Sequence, residues 1–157
     1  ILLSLMDTID KKIIELIQFD ASLTAREIAE KVGLTTAPCW RRIQRLEAEG
    51  IIAARVAIID PEKINLPVLA LVEIRTNRHN AEWLTDFISA IKKFPEIIEA
   101  YRTSGEVDYM LRVVAPNMET YDLFYKKLVE EVDLYDVRTH FVMERIKATT
   151  ELPLKYC

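Results

Sequence analysis

The sequence predicts an α+β protein with two domains, on the basis of three observations. Apolar residues recur at helical spacing through the first third of the chain, interrupted twice by turn signals. Pro61 and Pro67 then enclose a segment with neither helical nor strand periodicity. Beyond it the pattern runs strand, helix, strand, strand, helix, strand, the order of a ferredoxin-like sandwich. We therefore expect an N-terminal domain at 6–60, a linker at 61–67 and a second domain at 68–157.

The first two helices carry recognisable start and stop signals. Asp7, followed by Asp10, can cap a helix whose apolar residues continue to the polar stretch QFDAS. Thr24 and Glu27 form a capping box, in which a hydroxyl and a carboxylate each bind a backbone N–H at the start of the second helix. Gly33 ends that helix, because glycine readily adopts the left-handed conformation of a tight turn. A helix-turn-helix arrangement is therefore expected around Gly33.

A third helix and a strand complete the N-terminal domain. Thr35 is a good N-cap residue for the helix, and Gly50 is a stop signal. The stretch IIAARVAIID (51–60) is rich in β-branched residues and predicts a strand that could form a wing. The domain therefore reads as a winged helix-turn-helix.

The third helix has one apolar side and one polar side. Cys39, Ile43 and Leu46 fall on one face and are expected to pack on the first two helices. The opposite face holds small, polar and basic residues, with Arg42 on its flank: Ala37, Pro38, Arg41, Gln44 and Arg45. An isolated RRIQR would equally suit the solvated face of a structural helix. Its place after a capped helix and a glycine turn favours a DNA recognition helix.

The residue types on this face suit contacts with double-stranded DNA. Arginine can bind guanine through two hydrogen bonds, and glutamine can bind adenine. Backbone N–H groups at the helix start suit phosphate oxygens. The predicted DNA-binding residues are Thr35, Thr36, Ala37, Trp40, Arg41, Arg42, Gln44 and Arg45.

Charge and composition exclude several classes of protein. The net charge is −4, yet the first 55 residues carry as many acids as bases, so the excess of acid lies in the remainder of the chain. The two cysteines are too few for a disulfide framework and lack partners at metal-ligand spacing. No apolar run approaches the roughly 18 residues of a membrane helix. We expect a cytoplasmic protein without membrane association, metal or cofactor.

The second domain is expected to contain two βαβ halves. Strands are predicted at 68–76, 96–104, 107–115 and 136–148, and helices at 80–94 and 117–132. Aromatic residues recur at helical spacing in both helices and suit core or dimer packing better than a cofactor site: Trp83, Phe87, Tyr121, Phe124 and Tyr125. His140 and His79, the latter in a predicted polar turn, have no surrounding cluster of metal ligands.

A glycine turn, SGEVDY (104–109), connects the two middle strands. Gly105 is expected to adopt a positive φ, and Asp108 lies at the start of the following strand. Such turns are usually only connections between strands, so this spacing alone does not indicate a binding site.

Several stretches closely resemble the Lrp/AsnC family of bacterial and archaeal regulators. They are LTAREIAEKVGLTTAPCWRRIQRLEAEGII, ARVAIIDPEKI, YRTSGEVDYMLRVVAP and HFVMERIKATTELPL, within a resemblance spanning about residues 7–154. It implies a DNA-binding winged helix-turn-helix joined to a βαββαβ sensing domain. It also implies dimers that assemble into octamers of four dimers, with an amino-acid effector bound between dimers.

The resemblance assigns roles around the glycine turn. Asp108 would accept from the effector's ammonium, and the backbone of Gly105 to Val107 would bind its carboxylate. The last strand of a neighbouring dimer would close the site. The implied effector-binding residues are Tyr101, Thr103, Gly105, Glu106, Val107, Asp108, Tyr109, Thr139, His140 and Phe141. The apolar residues Leu111, Val113, Phe141 and Met143 favour an aliphatic effector such as leucine or methionine, although strand alternation alone would explain them.

The sequence thus predicts a transcription regulator whose assembly and DNA affinity respond to an amino acid. The alternative is an amino-acid sensor that acts through protein partners rather than DNA. A small hydrolase on the same sandwich would need an anion site or a nucleophile motif, and neither is evident, so an enzyme is not expected.

Overall fold

The computed structural model describes residues 6–78 and 80–157. They form two compact units: the N-terminal unit, which comprises the described residues up to Ile58 together with Lys147–Cys157, and the sandwich unit, Ile59–Ile146. The sequence assigned all of 68–157 to the second domain, whereas the structure adds its last segment to the N-terminal unit. The polar turn predicted at His79 lies outside the described residues.

The helices of the N-terminal unit begin and end at the predicted signals. They are α1 (Thr8–Phe19), α2 (Ala25–Val32) and α3 (Thr36–Ala48). Both predicted capping interactions form: the Asp10 N–H donates to Asp7 Oδ1 at 2.8 Å, and the Thr24 N–H donates to Glu27 Oε2 at 2.7 Å. Gly33 has the expected left-handed conformation, with a φ of 76°.

One predicted cap differs from the structure. Thr35 has the extended backbone of an N-cap residue, but its side chain makes no capping hydrogen bond. The Thr35 hydroxyl therefore accepts no hydrogen bond from the first backbone N–H groups of α3.

Buried aliphatic residues from all three helices form the core of the N-terminal unit: Ile13, Ile14, Ile17, Ile28, Ala29, Cys39, Ile43 and Leu46. The predicted inward face of α3 is thereby confirmed. Burial raises the pKa of the Cys39 thiol. Leu154 packs against this core.

The C-terminal segment is held on α1 by hydrogen bonds as well as by Leu154. The Gln18 amide both donates to the Leu152 carbonyl at 3.2 Å and accepts from the Leu152 N–H at 2.7 Å. Lys11 Nζ donates to the Cys157 carbonyl. Residues 147–157 are therefore part of the N-terminal unit. No local sequence pattern predicted their contact with α1.

The predicted wing strand does not form a paired strand. Within the described part of the chain, residues 53–60 belong to no sheet. Val56 and Ile58 are each 75 % exposed. A strand needs a neighbour to satisfy its N–H and C=O groups, and the described residues supply no strand that pairs with this segment. The β-branched composition therefore predicted a strand that does not pair with any strand of the described residues.

The sandwich unit has the predicted βαββαβ order. Its elements are β1 (Val68–Arg75), α4 (Ala81–Ile91), β2 (Ile97–Arg102), β3 (Tyr109–Ala115), α5 (Met118–Glu131) and β4 (Asp136–Phe141). The strands form one sheet in the order β2-β3-β1-β4, and every neighbouring pair is antiparallel. This is the expected ferredoxin-like arrangement.

The last strand is shorter than predicted, because its partner β1 does not extend far enough to pair with the whole predicted span. β4 pairs with β1 from Asp136 opposite Arg75 to Phe141 opposite Ala70. One further hydrogen bond joins the Val142 N–H to the Leu69 carbonyl at 2.9 Å. Because β1 starts at Val68, directly after a proline, no further pairing is available there.

The two faces of the sheet differ in burial. Alternate residues such as Val72, Leu111 and Val113 are fully buried beneath the helices, where Trp83 stacks on Phe87 with ring centroids 5.0 Å apart. The predicted aromatic packing is thereby confirmed: Trp83, Phe87, Tyr121 and Phe124 are buried, and Tyr125 is partly buried. The intervening residues face away from α4 and α5.

Candidate nucleic-acid interface and ligand-binding loop

The exposed side of α3 carries the residues expected to meet DNA. Arg41 and Gln44 are exposed, and Trp40 is 53 % exposed. Gln44 Nε2 donates to Glu47 Oε2 at 3.0 Å, a contact that an exposed amide can exchange for another acceptor. Among the described residues, Arg41 takes part in no ion pair. The predicted outward direction is therefore confirmed for Arg41 and Gln44.

A groove lies between the start of α2 and the outer side of α3. Its volume is about 320 Å³, and its walls include Thr24, Trp40, Gln44 and Arg55. Arg55 Nη2 lies 2.9 Å from Glu47 Oε1, so the segment after α3 is tied to that helix. The Trp40 ring is thus one wall of a surface groove rather than part of the core.

The two remaining arginines of α3 turn towards α1. Arg42 Nη1 donates to Asp7 Oδ2 at 2.7 Å and to Asp10 Oδ1 at 2.8 Å. Arg45 Nη2 donates to the other oxygen of Asp10. Asp10 is completely buried. The sequence placed Arg45 outward and Arg42 on the flank for phosphate. Arg45 is exposed as expected, but both guanidinium groups bind carboxylates of their own unit.

Two of these groups, Asp7 and Arg42, have shifted pKa values. The Asp10 N–H and then Arg42 hold the pKa of the Asp7 carboxyl below its usual value. Hydrogen bonds to Asp10 and then Asp7 raise the pKa of Arg42. The charged forms are therefore the ones that the fold stabilises.

Sequence reasoning missed Asp10 as a partner of α3. The signal was present: a charged residue inside the apolar stripe of α1 requires compensation once it is buried. Asp7 and Asp10 have the same i, i+3 spacing as Arg42 and Arg45, so one turn of each helix presents two charges. The pairing itself depends on how the helices pack, which the sequence alone did not supply.

The predicted effector loop is closed by hydrogen bonds around Gly105. Gly105 has a φ of 117°, which confirms the expected positive value. The Thr103 N–H donates to the Asp108 carbonyl at 2.9 Å, and the Thr103 hydroxyl donates to the Val107 carbonyl. Asp108 Oδ2 accepts from the Thr76 N–H at 2.8 Å. One oxygen of the Asp108 carboxylate therefore already fixes the end of β1 against the loop.

The structure brings only part of the predicted effector set together. Thr103, Gly105, Glu106, Val107 and Asp108 share the loop, where Glu106 Oε1 lies 3.7 Å from Arg75 Nη1.

The other predicted effector residues divide between the two faces of the sheet. Tyr109, Thr139 and Phe141 point to the helices; Tyr109 packs on Phe87, and the Tyr121 hydroxyl lies 2.6 Å from Thr139 Oγ1. Burial raises the pKa of Tyr121.

Tyr101 and His140 lie on the sheet face directed away from the helices. A hydrogen bond with Glu99 raises the pKa of Tyr101. His140 Nε2 lies 3.4 Å from Glu73 Oε1. Within one chain these two residues belong to a different surface from Tyr109 and Phe141.

The residues that favoured an aliphatic effector are located elsewhere. Leu111 and Val113 are fully buried in the sandwich core, and Phe141 packs on Tyr121. Met143 is 95 % exposed. Strand alternation explains the buried pair, so their apolar character carries no information about the effector.

The described residues contain neither a metal-binding cluster nor a membrane-spanning helix. Among residues 6–78 and 80–157, no three His, Cys, Asp or Glu side chains are grouped so that they could hold a metal ion. In the same residues, no helix has the length and apolar character needed to span a bilayer.

Two protein-family models match the chain. A model of the Lrp/AsnC ligand binding domain matches residues 69–152, and one of winged helix-turn-helix DNA-binding domains matches residues 6–53. The helix-turn-helix match lies within the N-terminal unit, and the ligand-binding match covers most of the sandwich unit and continues into the segment that the structure adds to the N-terminal unit.

Characterised relatives match nearly the whole chain. The DNA-binding transcriptional activator DecR of Escherichia coli is 45 % identical over 96 % of this chain and 100 % of its own length. The glutamate uptake regulatory protein of Zymomonas mobilis is 45 % identical over 95 % of this chain and 91 % of its own.

Solved structures also match. An AsnC family transcriptional regulator from Agrobacterium tumefaciens is 50 % identical and has a TM-score of 0.92, covering 96 % of this chain and 99 % of that one. A transcriptional regulator from Neisseria meningitidis, solved as a complex with L-methionine, is 32 % identical with a TM-score of 0.92, covering 96 % and 98 %.

Proposed function

The chain belongs to the Lrp/AsnC family of DNA-binding transcription regulators, and we propose that an amino acid controls both its assembly and its affinity for DNA. The observation that carries the proposal is that one chain contains both an exposed polar face on α3 and a hydrogen-bonded glycine loop at Thr103–Asp108. The protein acts by binding rather than by catalysis, in the cytoplasm where its DNA target lies.

DNA is read by the outer side of α3. Arg41 and Gln44 supply donors for base edges in the major groove. The backbone N–H groups of Thr35 and Thr36 contact phosphate, and Trp40 packs along the DNA backbone. The uncommitted Thr35 hydroxyl and the exposure of Arg41 support this assignment.

The amino acid binds at the loop Thr103–Asp108. Backbone N–H groups at Gly105 to Val107 receive its carboxylate, and Asp108 receives its ammonium through the oxygen that does not bind Thr76. The last strand of another copy closes the site with Thr139, His140 and Phe141. We take methionine or leucine as the effector, because a 32 % identical regulator has been solved with L-methionine.

Self-association supplies a second recognition helix, which contacts a second DNA half-site. One small recognition helix alone would bind DNA too weakly. We propose dimers, and octamers built from four dimers. Exposed apolar residues on the unpaired segment support this, since Val56, Ile58 and Ile59 would pack and pair against the same segment of a second copy. A symmetric two-fold contact of this kind uses the same patch twice.

The test is to titrate each of the twenty amino acids while measuring oligomer mass by light scattering and DNA affinity by fluorescence anisotropy. The DNA is a duplex selected from a random-sequence pool by the protein itself. An effector must bind one assembly state better than another, so methionine or leucine should shift both readouts. If no amino acid changes either, the effector proposal is wrong.

A pair of loop variants gives the matched control. Asp108→Asn keeps an oxygen for the Thr76 N–H but removes the charge that an ammonium needs, so the amino-acid response should disappear while DNA binding persists. Glu106→Gln changes a neighbouring carboxylate whose backbone alone is assigned a role, and it should keep the response. Equal loss in both variants would contradict the assignment of Asp108.

A further inference from the structure

The carboxylate of Asp10 joins α1 to two arginines on one turn of α3. It is completely buried and accepts from Arg42 through Oδ1 and from Arg45 through Oδ2. It also completes the capping box by accepting from the Asp7 N–H at 3.2 Å. A buried carboxylate is tolerated only with such partners, so its position is fixed by all of them together.

Two contacts from one helix to a single buried point restrict that helix more than one contact would. Arg42 and Arg45 lie three residues apart, hence on one side of α3. With both guanidinium groups on Asp10, α3 can neither rotate about its axis nor slide along α1 without breaking an ion pair. The apolar contacts of Cys39, Ile43 and Leu46 are less directional and do not define this rotation by themselves.

The same contacts change the charge that α3 offers to DNA. Residues 35–46 contain three arginines and no acid. Asp7 and Asp10 compensate two of them from α1, with separations of 2.7 and 2.8 Å to Arg42. Arg41 is the arginine of this stretch that takes part in no ion pair within residues 6–78 and 80–157.

We propose that Asp10 is a positioning residue for DNA recognition: by holding Arg42 and Arg45 it sets the rotation of α3, so that Arg41 and Gln44 face the bases and Arg45 does not. This rests on the proposed role of α3 as the reading helix. It goes further by assigning sequence preference to a residue that cannot touch DNA.

The experiment uses the full chain in four variants: Asp10→Asn, Arg45→Met, the double variant, and Arg41→Met as the matched surface control. Affinity is measured by anisotropy for a duplex selected from a random pool by the wild-type protein and for a scrambled duplex of the same composition. Both are measured across a series of salt concentrations.

Positioning and direct contact predict different results. If Arg45 acts through Asp10, Arg45→Met lowers the ratio of selected to scrambled affinity about tenfold and leaves the salt dependence unchanged, because no phosphate or base contact is lost. Asp10→Asn lowers the ratio similarly, and the double variant is no worse than either single change, since the two residues act as one unit. Arg41→Met reduces the affinity for the selected duplex regardless of Asp10.

The proposal is overturned if Arg45→Met weakens binding to both duplexes and lowers the salt slope by about one unit, with an effect that adds to that of Asp10→Asn. Arg45→Met alone decides this point should Asp10→Asn fail to fold, as judged by circular dichroism. Failure of the reading-helix assignment is distinguishable, because then Arg41→Met would leave binding to the selected duplex unchanged.

Discussion

The N-terminal unit and the sandwich unit bury charge differently. In the N-terminal unit the Asp10 carboxylate has no exposed surface and is compensated by two arginines. In the described part of the sandwich unit, every ion pair joins side chains that keep at least a quarter of their surface exposed, as in Lys93 with Glu131 and Arg112 with Glu99. Its core is aliphatic and aromatic.

This difference indicates what each unit requires of its helices. Apolar packing stabilises a fold but tolerates small rotations of a helix. A buried ion pair costs desolvation free energy, but its hydrogen bonds fix the orientation of the helices that carry it. The sandwich unit supports a sheet and gains most from aromatic contact area. If α3 reads DNA as proposed, the N-terminal unit must hold that helix in a defined orientation, and there a buried charge is tolerated.

The largest effect on the free energy of unfolding is expected from creating a cavity in the aromatic core of the sandwich unit. Phe87 is 1 % exposed and contacts both Trp83 and Tyr109. Phe87→Ala should lower the free energy of unfolding of this unit by about 3–5 kcal/mol, through lost burial and the cavity that remains. Urea denaturation followed by tryptophan fluorescence and near-ultraviolet circular dichroism measures the change. A loss below about 1 kcal/mol would mean that this core collapses around the gap.

Removing the buried charge should have the next largest effect. Asp10→Ala leaves Arg42 and Arg45 without their common partner, but these side chains are 28 % and 42 % exposed and can be rehydrated. We therefore expect a loss of about 2 kcal/mol, less than for a fully buried pair. Thermal unfolding of the N-terminal helices, followed at 222 nm, checks it. A neutral result would show that Asp10 contributes orientation without stability.

A smaller effect is expected where the C-terminal segment is held on α1. Gln18→Ala removes two hydrogen bonds to the Leu152 backbone at an exposed site, which should cost about 1 kcal/mol locally. Hydrogen exchange should show a faster Leu152 amide while the amides within α2 are unchanged. Leu154→Ala is the companion variant, since it removes the apolar contact instead. Unchanged exchange in both variants would contradict the docking.

The smallest effect is expected at a solvated ion pair of the sandwich unit. Lys93 Nζ lies 2.6 Å from Glu131 Oε2, with 61 % and 41 % of the two side chains exposed. Lys93→Ala should change the free energy of unfolding by about 0.3 kcal/mol, because water and salt screen the pair. The same urea titration measures it. A loss as large as that of Asp10→Ala would remove the contrast between the two units.

The parts of the fold that depend on local signals were predictable. Asp7, Thr24 and Gly33 act within a few residues of their own position, and the inward face of α3 followed from spacing alone. The partner of Arg45 was not predictable in this way, because a long side chain that is exposed can still reach back to a carboxylate 35 residues earlier. Residues 53–60 have the composition of a strand, but no other strand of the described residues pairs with them. Composition alone does not predict which strands pair.

The C-terminal segment also determines the order in which contacts can form. Lys11 meets the carbonyl of Cys157 across 146 positions of sequence, and Gln18 meets Leu152 across 134, with the whole sandwich unit inserted between. Closing so long a loop is entropically expensive until the inserted unit has itself become compact. Docking of this segment is therefore a high-contact-order event that follows folding of both units, and it should be the first contact to break when either one begins to unfold.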